Sequence, residues 1–150
     1  MKKRGFTLVE IMIVVAIIAL LAAIAIPNLL RARLQANESS AQAALKTIAT
    51  AEVTFRSAGN AYADLNSLGS ATPPYIDSVL GCATEPCAKA GYNFATTNNA
   101  AETFCVTAVP GTVNVTGVRS FCITEDGVVR LGAAAGTTHD ACVALNATQP

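Results

Sequence analysis

The chain has 150 residues, of which 52% are hydrophobic and 13% are charged, and its formal net charge is zero. This length suits one modest domain with an appendage. A chain without net charge has neither the basic field that attracts nucleic acid nor the acidic field that stores cations. We therefore predict no specific nucleic-acid partner.

The hydrophobic residues concentrate near the N-terminus. A basic leader at residues 1–5 precedes an apolar run from Phe6 to Ile26, which only Thr7 and Glu10 interrupt. As a helix this run would be about 31 Å long, enough to cross the hydrocarbon core of a bilayer. The basic leader predicts that this end faces the cytoplasm. We expect a single membrane-spanning segment, with the rest of the chain on the other side.

Glu10 is the unusual residue of this segment. A secretory signal or a plain signal anchor would explain the apolar run and its basic flank, but neither explains a carboxylate inside it. Ionisable residues in membrane segments are rare and are functional candidates by default. An alternative is that Glu10 is an ordinary acidic residue at a helix start, where the helix dipole favours it.

The stretch KKRGFTLVE, residues 2–10, together with the aliphatic run after it, closely resembles the cleavage and methylation signature of type IV prepilins and type II secretion pseudopilins. The resemblance implies that a prepilin peptidase cuts between Gly5 and Phe6 and that the new amine of Phe6 is methylated. It also implies assembly roles for Phe6, Glu10 and Pro27. Glu10 of one subunit would neutralise the Phe6 amine of a neighbour, because an uncompensated buried charge is strongly destabilising.

The same resemblance implies two successive locations. The subunit would wait in the inner membrane with its N-terminus in the cytoplasm. The pilus assembly machinery would then polymerise it with copies of itself and other pilins into an extracellular filament. Filaments of this family serve surface adhesion, twitching motility and DNA uptake. The expected function is structural, with no catalytic residue, no cofactor and no metal.

Two other functions stay open at this point. The nearest is a pseudopilin of a type II secretion system, although the family's major pseudopilins usually lack a cysteine-rich head and bind calcium there. The other is a membrane-anchored periplasmic enzyme or binding protein, which would need a pocket with converging polar groups. The one histidine, His139, lies in no recognisable catalytic or ligand pattern.

The apolar run continues into an amphipathic stretch. Pro27 removes a backbone donor and predicts a kink or a short break. Beyond it, apolar residues recur at helical spacing at Leu30, Leu34, Ala41, Leu45, Ile48 and Phe55. We predict one N-terminal helix over residues 6–58, with a transmembrane and assembly segment at 6–26 and an amphipathic segment at 27–58. This helix would be about 78 Å long, much longer than a compact head whose radius of gyration is about 12 Å. Half of the helix should therefore protrude.

The remainder, residues 59–150, is predicted to form a globular β head that contains disulfides. Turn residues mark a long connection over 59–91, with one short helical turn near Leu65 and Leu68. Asp126-Gly127 predicts a tight hairpin, since both residues tolerate positive φ. The fold predicted is α+β, in which the amphipathic half of the helix packs on an antiparallel sheet of about four strands. Those strands are expected at 92–94, 103–109, 118–124 and 128–131.

All five cysteines lie in the head, which fits an oxidising compartment. Cys82 and Cys87 can close a small loop. Strand alternation lets Cys105 and Cys122 face each other across an antiparallel pair, and this scheme leaves Cys142 free. Pairing of Cys142 with Cys105 or with Cys122 is the alternative.

Overall fold

A computed structural model describes residues 6–59, 61–99 and 102–145, except for the side chains of residues 98 and 99. The leader predicted at residues 1–5 lies outside these ranges. The chain divides into two compact units, Met1–Arg33 and Leu34–Pro150.

Helix α1 spans Leu8–Ser57 without interruption. Of the kink or short break predicted at Pro27, the break does not occur, because Pro27 lies inside the helix. Proline deletes one backbone hydrogen bond, but the Ile, Leu and Ala residues on both sides keep the rest of the ladder. The helix was predicted over 6–58 and spans Leu8–Ser57, and Gly59 follows it with a φ of +89°, a conformation that glycine adopts without strain.

The second unit buries one stripe of α1. Ala41, Leu45 and Ile48 are fully buried at helical spacing. The short helix α2, Leu65–Ser70, supplies two more buried leucines, as the sequence predicted. Its first turn is capped by the Asp64 carboxylate, which accepts a hydrogen bond from the Ser67 N–H at 2.7 Å.

The sheet has five antiparallel strands in the order of the chain. They are β1 Cys87–Lys89, β2 Tyr92–Asn99, β3 Phe104–Pro110, β4 Phe121–Thr124 and β5 Arg130–Leu131. The α+β prediction is confirmed, while the estimate of about four strands missed β1, whose three residues are too few to show an alternating pattern. A short helix, α3 His139–Val143, follows the sheet.

Two strands begin later than predicted because their first residues have other hydrogen-bond acceptors. The backbone N–H groups of Val118 and Arg119 donate to the Glu38 carboxylate at 3.0 and 3.1 Å, so β4 starts after them. The Val128 N–H donates to Asp126 Oδ1 at 2.9 Å, which delays β5.

The predicted tight turn at Asp126-Gly127 is instead a longer connection between β4 and β5. In it, Gly127 takes a φ of +71° whereas Asp126 does not take a positive φ. The Asp126 carboxylate accepts a hydrogen bond from the Thr124 hydroxyl at 2.9 Å and pairs with Arg130. Side-chain bonds therefore shape this hairpin, in addition to the glycine.

The two faces of the sheet separate as strand alternation predicted. One face joins the buried stripe of α1 in the main core, through Tyr92, Phe94, Phe104, Val106, Ala108, Phe121 and Ile123. On the other face Cys105 and Cys122 form a small cluster with Ala133 and Cys142. The sheet thus has a large apolar side and a small cysteine-lined side.

Candidate functional site

The N-terminal unit exposes apolar side chains on every side of α1. None of the described side chains in residues 6–33 is buried, and residues 11–15 are consecutively more than half exposed. Five consecutive positions cover all directions around a helix. A helix that is apolar all round is stable in lipid or among other helices. By length and composition α1 can cross a membrane, a test that signal sequences also pass.

Glu10 and Thr7 form a reciprocal cap at the start of α1. The Thr7 N–H and hydroxyl both donate to Glu10 Oε2 at 2.9 Å. In return the Glu10 N–H donates to Thr7 Oγ1 at 3.2 Å. This is a capping box, for which the Thr-x-x-Glu spacing is the sequence signal. Within the described residues these side-chain bonds use Oε2 of Glu10, and Oε1 takes no part in the cap.

The predicted assembly residues lie on or next to this helix. Phe6, which precedes α1, is 85% exposed, and Pro27 lies inside the helix. Gly5 is outside the described residues. Within the described part of one chain, the Glu10 carboxylate contacts Thr7 rather than Phe6. Cleavage between Gly5 and Phe6, methylation of Phe6 and pairing between subunits remain predictions.

The structure contains two disulfides. Cys82 bonds to Cys87 with 5.6 Å between their Cα atoms, in agreement with the small loop that the spacing predicted. Cys122 bonds to Cys142 with 6.1 Å between their Cα atoms. The scheme that left Cys142 free is therefore wrong, and its alternative pairing with Cys122 is the one observed.

The sheet register explains why Cys105 and Cys122 do not pair. Cys105 stands opposite Thr124, and Cys122 stands opposite Thr107, so the two cysteines are offset along their strands. Helix α3 brings Cys142 to β4 instead. Cys105 is left as a buried free thiol, and burial raises its pKa. A high pKa disfavours the reactive thiolate.

A buried carboxylate that sequence reasoning missed, Glu38, joins α1 to the loop between β3 and β4. It is 5% exposed and accepts a hydrogen bond from Arg119 Nε at 2.7 Å, besides those from two backbone N–H groups. Burial by itself would raise the pKa of Glu38, but these hydrogen bonds and the Arg119 charge outweigh it and hold the pKa below its ordinary value. Such a satisfied, paired charge positions the loop.

A second buried carboxylate, Glu52, is only half satisfied. It is fully buried and accepts a hydrogen bond from the Ala63 N–H at 3.1 Å through Oε2. Within the described residues its Oε1 has no partner. Burial, together with the negative charges of Asp64 and Glu85, raises the pKa of Glu52 to about 7.

The second unit also has an open groove of about 390 Å³ beside the β4–β5 connection. Its lining is mostly apolar or threonine, with one lysine and one glutamate: Lys46, Ala49, Thr50, Val53, Thr54, Ile123, Glu125 and Gly127. His139, at the start of α3, contacts the groove-lining Glu125: its Nε2 is 2.8 Å from Glu125 Oε1, and its Nδ1 is 3.0 Å from Asp140 Oδ1. The contact with Glu125 joins α3 to the connection between β4 and β5.

Residues 1–26 match the family model described as the prokaryotic N-terminal methylation motif. The match covers the leader, Phe6, the capping box and the apolar run.

Two curated proteins are similar to part of the chain. The type IV major pilin protein PilA of Myxococcus xanthus is 48% identical over 71 residues, which cover 47% of this chain and 32% of that protein. The type IV wide pilus major component PilA4 of Thermus thermophilus is 44% identical over 75 residues, which cover 47% of this chain and 57% of that protein. The chain thus spans about a third and somewhat over half of the length of these two relatives.

Proposed function

We propose that this chain is the structural subunit of a type IV pilus and that it polymerises through the apolar part of α1. One observation carries the proposal: the apolar surface of α1 is exposed all round in residues 8–30. Such a surface needs lipid or other helices, and a bundle of identical helices supplies the second. The names of both relatives refer to type IV pili, which favours a pilus over a secretion pseudopilus.

The proposed life of the subunit has two stages. In the first, the segment at 6–26 spans the inner membrane with its N-terminus in the cytoplasm, and prepilin peptidase removes residues 1–5. In the second, the methylated chain leaves the lipid through the pilus assembly machinery and joins copies of itself and other pilins. The amphipathic segment at 27–58 and the head at 59–150 stay folded throughout. The resulting extracellular filament would serve adhesion, twitching motility and DNA uptake.

Glu10 is proposed to act both inside its own helix and between subunits. Inside the helix its Oε2 closes the capping box with Thr7. Between subunits the carboxylate would pair with the Phe6 amine of a neighbour, which methylation leaves positively charged. In an apolar bundle, leaving either charge without its partner costs about 3–5 kcal/mol. That penalty gives the filament a preferred register.

Mass spectrometry of filament and membrane fractions tests the processing step. We expect a mature chain that begins at Phe6 and carries one extra methyl group on its amine. The same spectra, taken after thiol alkylation without reduction, should show one free thiol in the unfolded chain. A mature chain that still begins at Met1 would contradict the proposal.

Three substitutions separate the two roles of Glu10. Glu10→Ala removes both the cap and the charge, Glu10→Gln keeps a capping acceptor without the charge, and Thr7→Ala keeps the charge without the capping hydroxyl. If pairing between subunits matters, Glu10→Ala and Glu10→Gln should both be clipped and retained in the membrane. Both should yield at least about a hundredfold fewer filaments, since a loss of about 3–5 kcal/mol exceeds two factors of ten at about 1.4 kcal/mol each. Thr7→Ala should assemble nearly normally.

The measurements are filament yield after shearing, electron microscopy and the processed mass. Normal filament yield from Glu10→Gln, together with loss from Thr7→Ala, would show that Glu10 acts only as a helix cap. Normal yield from all three variants would remove Glu10 from the assembly mechanism.

A further inference from the structure

The loop between β3 and β4, residues 111–120, presents three exposed valines. Val113 is 59% exposed, Val115 is 65% exposed and Val118 is 54% exposed. Single exposed valines are ordinary on protein surfaces, whereas a cluster of apolar side chains marks an interaction site. These three fall within six residues of one loop, among glycine, threonine and asparagine.

The valines are held in a defined loop conformation. The Thr116 N–H donates to the Thr112 carbonyl oxygen at 2.9 Å. Gly117 packs against Tyr92 so closely that an added Cβ would lie 2.1 Å from the Tyr92 hydroxyl oxygen. That hydroxyl in turn donates to the Arg119 carbonyl oxygen at 2.7 Å. A preorganised loop loses little conformational entropy when its tip is buried.

The loop is attached to the part of α1 that begins the second unit. Asn37 Nδ2 donates to the Thr116 carbonyl oxygen at 2.8 Å. Glu38 accepts from the Val118 N–H at 3.0 Å and from Arg119 Nε at 2.7 Å. The loop is therefore bound to Asn37 and Glu38 through its residues 116–119.

The sequence keeps residues 37 and 38 close to the end of the membrane segment. Six residues separate Asn37 from Leu30, the last large residue of the exposed apolar stretch that continues the segment at 6–26, so their Cα atoms are at most about 25 Å apart. Arg31 and Arg33 lie between them, and no acidic residue occurs between Glu10 and Glu38. The loop is thus tethered by a short piece of chain to the end of the apolar stretch, and that piece carries two arginines.

We propose that Val113, Val115 and Val118 insert into the headgroup region of the bilayer while the subunit waits in the membrane. Arg31 and Arg33, in the piece of chain that tethers the loop, would pair with the lipid phosphates, while the Arg119 side chain stays paired with Glu38. This inference rests on the proposed membrane-anchored stage of the subunit. A lipid surface fits better than a protein partner, because a stable protein interface buries about 1,600 Å² and three valines supply only a small fraction of that. Apolar residues flanked by basic ones are typical of segments that lie in the membrane interface.

The absence of tryptophan from the sequence provides a direct test. Val115→Trp introduces a single tryptophan at the loop tip, and Val113→Trp is a second reporter if the first variant does not fold. The matched control is Val128→Trp, at the other end of β4, where the native valine is 37% exposed. Each full chain is reconstituted in vesicles of phosphatidylethanolamine and phosphatidylglycerol, with and without lipids brominated on their acyl chains. Flotation of the vesicles reports anchoring.

We expect the loop tryptophan to emit at shorter wavelength in vesicles than the control and to lose intensity to the bromine, while the control does neither. Chains that float but show water-like, unquenched emission at both positions would overturn the inference and leave the membrane anchor intact. A blue shift without bromine quenching would assign the loop to a second copy of the chain and equally overturn it. Failure to float would refute the anchored stage, and the loop inference with it.

Discussion

The two parts of helix α1 share one backbone geometry but differ in what covers them. None of the described side chains in residues 6–33 is buried. In the second unit the helix buries one stripe, composed of Glu38, Ala41, Ala44, Leu45, Ile48, Ala49, Ala51 and Glu52. The second part finds its partner in its own sheet, whereas the first part must find one in lipid or in other chains. Both parts are helical, and they differ in whether the surface that covers the helix comes from the same chain.

The largest effect should come from removing a buried side chain in one part and an exposed one in the other. Leu45→Ala should lower the free energy of unfolding of the second unit by about 2–5 kcal/mol, because it leaves a cavity in the main core. Leu20→Ala, at a position 65% exposed, should change it by less than about 0.5 kcal/mol. Chemical denaturation of both full chains in mild detergent, followed by near-ultraviolet circular dichroism, measures the difference. Equal losses would contradict the contrast between the two parts.

The buried Glu52 should make the second unit respond to pH. Its pKa is about 7 in the folded chain and ordinarily 4.5, so the folded state retains a proton that the unfolded state has released between these values. Stability from this group is therefore greatest below about pH 4.5 and is lost as pH rises to about 7. Glu52→Gln should remove that slope and stabilise the chain at pH 8 by on the order of 2–3 kcal/mol.

Denaturation at several pH values measures this slope. Glu102→Gln is the matched control, since the Glu102 side chain is 79% exposed and the substitution should leave the slope unchanged. An unaltered slope in Glu52→Gln would show that the buried carboxyl does not titrate in this range.

A smaller pH effect should come from the contacts that His139 makes with Asp140 and Glu125. Hydrogen bonds first to Asp140 and then to Glu125 raise the pKa of His139. Its contribution is fully present below the ordinary histidine pKa of 6.5 and is lost as pH rises through the higher folded value. His139→Gln should therefore lower stability at pH 6 by at most about 1 kcal/mol and have almost no effect at pH 9. An equal loss at both pH values would mean that the charge is not involved.

The sequence anticipated most of what depends on neighbouring residues. Apolar periodicity located α1, and alternation along β3 and β4 placed Cys105 and Cys122 on one face of the sheet. The Cys82–Cys87 bond joins residues five apart. In each case the relevant partners lie within a few positions, so local geometry determines the outcome.

Features that depend on distant residues were missed or left open among alternatives. The Cys122–Cys142 bond spans 20 residues, and the Glu38 carboxylate binds an N–H group 80 residues away. No local pattern encodes where α3 returns to the sheet or which loop reaches α1. Pro27 is the opposite case: the local rule predicted a kink or a short break, and the helix continues through Pro27 without a break.

The sequence by itself therefore determined that an apolar helix with one early carboxylate leads a cysteine-containing β head, because side-chain type and spacing act through a few bonds. Only the tertiary structure decided which cysteine stays free, which carboxylates become buried and which loop is attached to α1. Those outcomes depend on chain segments that meet in space after long separations in sequence, and their energies come from burial and pairing that do not exist until the segments meet.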